Sequence, residues 1–389
     1  MDYYTEYLNS NLVGNMDLLN AERKKQLMRI QCIRGMDRDI MVYASDLSKD
    51  APITINYDDK LAFYDQIPKT NCKSIDIILE TPGGFAEVVE DLIRNLRKKY
   101  TNIGVIVPGY AKSAGTIFAM GADEILMGDT SALGPIDAQI INQNGKNYSA
   151  GAFLEGLENI KRESKERLEE IYKPILQNIS PGEIEQCKNC QEFTQKLVKE
   201  WLVKYRFSSN TNDKDLTLEE KQNLAEEIAK ELANNHRWKT HGKSLNIEDL
   251  RNLKLEITDF SENEELNDAI MRYYTLMRMT FSGPIYKYFE TIDTQIYKVL
   301  PTNEIRKPQN SATNQEVKNV LVDVECSNCK CNHKIVIPFD GILEENKHLI
   351  PYPKNNILFC SNCHNKMDLT ALKNDIENKF GKKINFEKY

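Results

Sequence analysis

Leu79-Glu80-Thr81-Pro82-Gly83-Gly84 and Val107-Pro108-Gly109-Tyr110-Ala111-Lys112-Ser113-Ala114-Gly115-Thr116 are the two stretches whose reading decides the fold. Each closes an apolar run of strand length, Ile75–Leu79 and Ile103–Val107, and each turns through small residues into a segment with helical spacing. After the first turn, Phe85, Val88, Val89, Leu92, Ile93 and Leu96 recur on one helical face. After the second come a short small-residue helix to Met120, a strand at Glu124–Met127 and a structured loop, Ser131–Asp137. Strands alternating with helices in this rhythm imply an α/β domain with right-handed crossovers.

Upstream, Leu18–Ile33 has apolar residues at helical spacing and Asp39–Tyr43 reads as a first strand. Ile53–Ile67 gives a strand-like piece and a helix closed by Pro68. Downstream, Ala150–Tyr288 is mainly helical in pattern, with capping boxes at Ser180–Glu183 and Thr217–Glu220 and a polar loop over 210–215. Pro301–Gln315 is polar, contains proline and lacks aromatic residues, the composition of a linker. The expected division is an N-terminal helical segment (1–35), an α/β domain (36–290), a linker (291–319), a cysteine module (320–370) and a charged tail (371–389).

With 389 residues, 41% hydrophobic and 28% charged, the chain has ample material for a core. Its net charge of −7 disfavours a protein whose main work is gripping duplex nucleic acid. The segment after Pro301 has only a slight excess of Lys and Arg, so nucleic acid is not supported there by charge either. No apolar run approaches the ~18–20 residues of a membrane span, and the N-terminus lacks the basic start of a signal peptide. The expected compartment is the cytoplasm.

Three features of the central zone fit one chemistry. A Gly-Gly turn directly after a strand exposes backbone N–H groups that can stabilise an oxyanion. A serine between Lys112 and Ala114-Gly115, at a strand-to-helix turn, presents its hydroxyl with little steric cover. The loop ending at Gly134-Pro135-Ile136-Asp137 returns within one more strand. Singly these are common turns; their order and spacing carry the signal. Together with Ala122-Asp123-Glu124-Ile125, the set resembles the serine dehydrogenase proteinase family, a branch of the ClpP/crotonase superfamily related to the signal peptide peptidase SppA. The resemblance runs from about Arg29 to Tyr288. It implies a ClpP/crotonase-like spiral of ββα units with helical additions, a serine peptidase acting on a protein or peptide substrate, and a homo-oligomer. Ser113 matches the nucleophile, and Gly84 and Ala114 the oxyanion donors, with Gly83 supporting the turn.

The general base stays open among His241, Lys161 and Lys165. ClpP carries a His at roughly the place of Asp137; a carboxylate is a poor acceptor for a serine proton, so Asp137 reads as an orienting or structural residue. SppA-like enzymes use a later Lys, and Lys161 and Lys165 lie at a plausible distance. They sit, however, in a run typical of a solvated helix face, and a basic Lys must be buried to work near neutrality. His241, in Trp238-Lys239-Thr240-His241-Gly242, matches a family His after a Trp-containing turn, and imidazole titrates near neutrality without burial. Lys112 is expected to point away from the nucleophile, toward substrate.

Cys326-Ser327-Asn328-Cys329 and Cys360-Ser361-Asn362-Cys363 are two CxxC knuckles with strand-like pieces between them, the pattern of a zinc ribbon. Cys326, Cys329, Cys360 and Cys363 would fill all four positions around a structural Zn²⁺; Cys331 and His333 are near enough to substitute. Cys187 and Cys190 form a third CxxC without a partner knuckle and read as ordinary cysteines. The functional expectation is a serine peptidase, ATP-independent in itself since no Walker-type loop is present, whose zinc ribbon recognises a substrate or partner. The competing readings are a non-catalytic scaffold on the same fold and crotonase-type chemistry on an acyl thioester.

Overall fold

The apolar runs pair into one sheet because each is flanked by turn residues and backed by amphipathic helices. The computed structural model describes residues 2–141, 147–165, 170–209, 216–300, 319–339, 350–380 and 383–384, and forms two units, Met1–Arg306 and Lys307–Tyr389. In the first unit, β1 (Arg38–Ser45), β2 (Ser74–Glu80), β3 (Asn102–Val107), β4 (Glu124–Met127), β5 (Thr258–Asp259), β6 (Ile285–Glu290) and β7 (Gln295–Val299) make a seven-stranded sheet. Its order is β7-β6-β1-β2-β3-β4-β5. Neighbours from β1 to β5 run parallel, whereas β6 is antiparallel to both β1 and β7. The mostly parallel sheet with helices on both faces is the expected α/β fold.

Alternation along the strands feeds two cores. Met41, Tyr43, Ile77, Leu79, Val105 and Val107 pack against the helices Ala86–Leu96 and Ala114–Met120. Ile40, Val42, Ile78, Ile106 and Leu126 face the helices Met16–Arg34 and Glu264–Thr280. The N-terminal helical segment is thereby part of the first unit. Buried Arg23 joins it to the end of β6, bonding Glu290 at 2.8–3.2 Å.

The linker expected over 291–319 begins inside the sheet, because Gln295–Val299 is the edge strand beside β6. The charged residues Lys287 and Glu290 hide β6 from an apolar-run search; both are buried, paired with Asp59 and Arg23. The remainder of that linker, 301–318, and the polar loop at 210–215 lie outside the described residues.

The second unit holds a hairpin, Asn319–Glu325 with Asn332–Pro338, extended by Ile350–Pro351, and a smaller hairpin, Ile357–Phe359 with Lys366–Asp368. The expected charged tail starts as a helix, Thr370–Phe380; residues 385–389 are not among those described. No helix among the described residues is long and apolar enough to cross a membrane.

Candidate active site and metal centre

Ser113 is the residue before the helix Ala114–Met120, which follows β3 through a segment whose Tyr110–Ala111 pairs in parallel with Ala132–Leu133. Its backbone takes φ 53°, ψ −116°, a strained conformation for a residue with a side chain. The Gly-Gly turn lies directly against it. A Cβ at Gly83 would stand 2.7 Å from Ser113 Cβ and 2.6 Å from the Lys112 carbonyl, so only glycine admits this approach. Gly83 has φ 108° and Gly84 φ 150°.

Ile55 brackets the turn from the other side. Its N–H donates to the Gly83 carbonyl at 2.7 Å, and its carbonyl accepts from Phe85 N–H at 3.0 Å. A trans peptide aims its N–H opposite to its C=O, so the Gly84 N–H faces away from Ile55. Among the described residues, neither the Gly84 nor the Ala114 N–H has an acceptor, whereas the Gly83 N–H is taken by Thr81 Oγ1 at 3.2 Å. Gly84, Ser113, Ala114 and Asp137 line one cleft of about 400 Å³, whose apolar wall includes Phe85, Ile117, Ile136, Ile140 and Phe193.

Asp137 is 2% exposed, and its Oδ1 lies 2.7 Å from His241 Nδ1. A carboxylate only accepts, so Nδ1 carries a proton toward Asp137, which in the neutral tautomer leaves the lone pair on Nε2. Gln139 Nε2 donates to the other oxygen, Oδ2, at 2.9 Å. The pairing joins residues 104 apart in sequence, and local contacts explain it. Thr116 Oγ1 accepts from Gly134 N–H and donates toward the Ala111 and Gly134 carbonyls, all at 2.9 Å, which ties the Asp137 loop to the helix that follows Ser113. Leu133 and Leu245 exchange two backbone bonds of 3.0 Å, and Lys239 at φ 64° reverses the chain after Trp238.

Lys112 completes the frame. Its ammonium donates to the Gly242 carbonyl at 2.6 Å and Ser244 Oγ at 3.0 Å, so it clamps the His241 loop beside the serine loop. Nothing local in the sequence announces a partner so far along the chain. Lys161 is 76% exposed and paired with Glu158 on an outer helix face; Lys165 is exposed as well. Neither lines the cleft, and neither does His241, which is joined to it through its contact with the lining residue Asp137. Cys190 does line it, with Cys187 buried behind, and burial raises both thiols. Beneath the turn, burial pushes the Glu80 carboxyl up to about 7, although it accepts from Tyr110 N–H at 2.8 Å.

In the second unit the sulfurs of Cys326, Cys329, Cys360 and Cys363 all lie within 4.8 Å of one another. Cys326–Cys363 and Cys329–Cys360 stand at 3.6 and 3.5 Å, close to the ~3.8 Å edge of a tetrahedron with metal–sulfur bonds of ~2.3 Å. The two knuckles repeat one turn. Lys330 N–H bonds the Cys326 carbonyl and His364 N–H the Cys360 carbonyl, each at 2.9 Å, with both residues left-handed. The Cys329 N–H beside it lowers the pKa of the Cys326 thiol, whereas burial raises that of Cys360. Buried His333 places Nε2 3.3 Å from Cys360 Sγ, beside the cluster rather than in it. The donor set fits a metal ion.

Ser113 and the unpartnered Gly84 and Ala114 N–H groups share one cleft with Asp137, and Asp137 in turn holds His241. The sequence model of the ClpP-like SDH-type serine proteinase family matches residues 53–287, more than half of the chain, and the chain belongs to that family. Two uncharacterized proteins of Methanocaldococcus jannaschii are similar. One is 33% identical over 183 residues, 47% of this chain and 51% of its own length; the other is 31% identical over 231 residues, 59% and 66%. The match thus spans half to two thirds of these curated relatives. Among solved structures, two mutants of a membrane-bound stomatin-specific protease match at 25% and 23% identity. They cover 29% of this chain and 57% and 59% of theirs, each at a TM-score of 0.22; the first is in complex with a substrate peptide.

Proposed function

We propose that the chain is an ATP-independent serine peptidase in which Ser113, His241 and Asp137 act as nucleophile, general base and orienting carboxylate. The observation that carries this reading is the 2.7 Å His241–Asp137 contact, made beside a cleft lined by both Asp137 and Ser113. His241 Nε2 takes the hydroxyl proton as Ser113 Oγ attacks the scissile carbonyl. The Gly84 and Ala114 N–H groups receive the developing oxyanion, each contributing about 2.7–4 kcal/mol to the transition state. The imidazolium, steadied by Asp137, returns its proton to the leaving amine. Water then hydrolyses the acyl-enzyme by the same route.

The four cysteines would hold Zn²⁺, which supplies folding energy to a small unit and, with every position filled by protein, offers no catalytic vacancy. Substrate or partner recognition is the role we assign to that unit. The free thiols suit a reducing cytoplasm, and a homo-oligomer is the assembly we infer. The test is hydrolysis of an unstructured peptide by wild type, Ser113→Ala, His241→Gln and the double variant Lys161→Met/Lys165→Met. The first two substitutions should abolish or cut turnover by about 10²–10⁴-fold and the third should leave it intact. Turnover lost with the lysines and kept without His241 would move the base to the outer helix. A wild type that hydrolyses no peptide would leave a scaffold or an acyl-thioester enzyme.

A further inference from the structure

Asp59 and Lys287 form an ion pair with both side chains 0% exposed. Burying two charges costs several kcal/mol per ion, and an apolar pair of similar volume would commonly serve stability as well. What distinguishes this pair is the backbone it holds. Lys287 Nζ donates to the Thr54 carbonyl at 2.8 Å and to both Asp59 oxygens at 2.8 and 3.0 Å. Asp59 Oδ2 accepts from Asn56 N–H at 2.9 Å and from Tyr43 Oη at 2.6 Å, while Lys298 donates to Oδ1 at 2.7 Å. The residues on both sides of Ile55 therefore hang from one buried pair. Ile55 in turn fixes the Gly83 carbonyl at 2.7 Å and so the direction of the Gly84 N–H.

We infer that Asp59 and Lys287 are positioning residues for the oxyanion hole: through Thr54–Asn56 they hold the Gly83–Gly84 peptide with its N–H aimed at the Ser113 cleft. This rests on the serine peptidase reading and deepens it. The pair touches no substrate, so its loss misdirects one donor while leaving the cleft walls in place.

The test uses the full chain with Lys287→Met, and with Asp59→Asn/Lys287→Met, which removes both charges at nearly equal volume. Arg23→Met/Glu290→Gln, which dismantles a second ion pair with both side chains buried, at the N-terminal helix, is the control. The readouts are kcat and KM on a peptide, the rate of Ser113 labelling by a fluorophosphonate, and thermal unfolding. Either Asp59/Lys287 variant should lose about tenfold or more in kcat and labelling rate, with KM within about twofold. The control should lose stability and keep kcat. Folded variants that label and turn over at the wild-type rate overturn the inference, as does a control with an equal loss of kcat. A wild type that does not label at Ser113 instead overturns the peptidase reading, so the two failures are distinguishable. Should Lys287→Met fail to unfold cooperatively, the neutral double variant decides.

Discussion

Replacing Asp137 by Asn should cost far more activity than one exchanged atom suggests. Gln139 Nε2 donates to Oδ2 at 2.9 Å, so the oxygen of the new amide is drawn to that side and its NH₂ turns toward His241. His241 Nδ1, 2.7 Å away, must then accept, and the imidazole proton moves to Nε2, where it blocks removal of the serine proton. Turning the amide back would set two donors face to face, a penalty of about 1–3 kcal/mol. Losing the carboxylate partner of the imidazolium adds about 1.5–3 kcal/mol. Together these give roughly 3–6 kcal/mol, or about 10²–10⁴ in kcat. The assay is peptide hydrolysis with kcat and KM separated, alongside thermal unfolding, which should barely move. Adding Gln139→Ala frees the amide to present its oxygen and should recover about tenfold or more. Wild-type kcat in Asp137→Asn, or no recovery in the double variant, would refute the tautomer argument.

Gly84→Ala would place a Cβ 2.2 Å from the Ile55 carbonyl at φ 150°; the displaced donor should cost about 10²–10³ in kcat, and the strain should lower Tm. Folded Glu80 keeps its proton up to about 7, against 4.5 when unfolded, so the folded state binds the extra proton between those pH values. Stability should therefore fall as pH rises through that window by about 3 kcal/mol, and Glu80→Gln should remove the slope; denaturant melts at pH 4.5, 6 and 8 check it. Cys326→Ser/Cys329→Ser should release bound metal and unfold the second unit while peptide hydrolysis persists; elemental analysis alongside turnover checks it, and joint loss of metal and turnover would make that unit part of the active assembly.

The sheet and its helices are legible because β1 to β4 are apolar runs punctuated by glycine and proline, as at Thr81–Gly84. Ser113 and the four ribbon cysteines are legible because their signals are local spacings. β6 and β7 are not: buried Lys287 and Glu290 break the apolar pattern, and their partners Asp59 and Arg23 lie far off in sequence. The contact between His241 and Asp137 escapes for the same reason. Read singly, neither residue points to the other; only the folded loops reveal that Thr116, Leu245 and Lys112 bring them together. Gly83 and Gly84 look equivalent as letters; the Thr81 hydroxyl separates them by taking one N–H.

The central claim is that Ser113 becomes covalently acylated with His241 as its base. The most direct measurement is intact-mass and peptide-level mass spectrometry after incubation with a fluorophosphonate at near-neutral pH. The account predicts one adduct per chain on Ser113, absent in Ser113→Ala and slowed about 10²–10⁴-fold in His241→Gln. An adduct that persists in Ser113→Ala, or forms at an unchanged rate without the His241 imidazole, would contradict it.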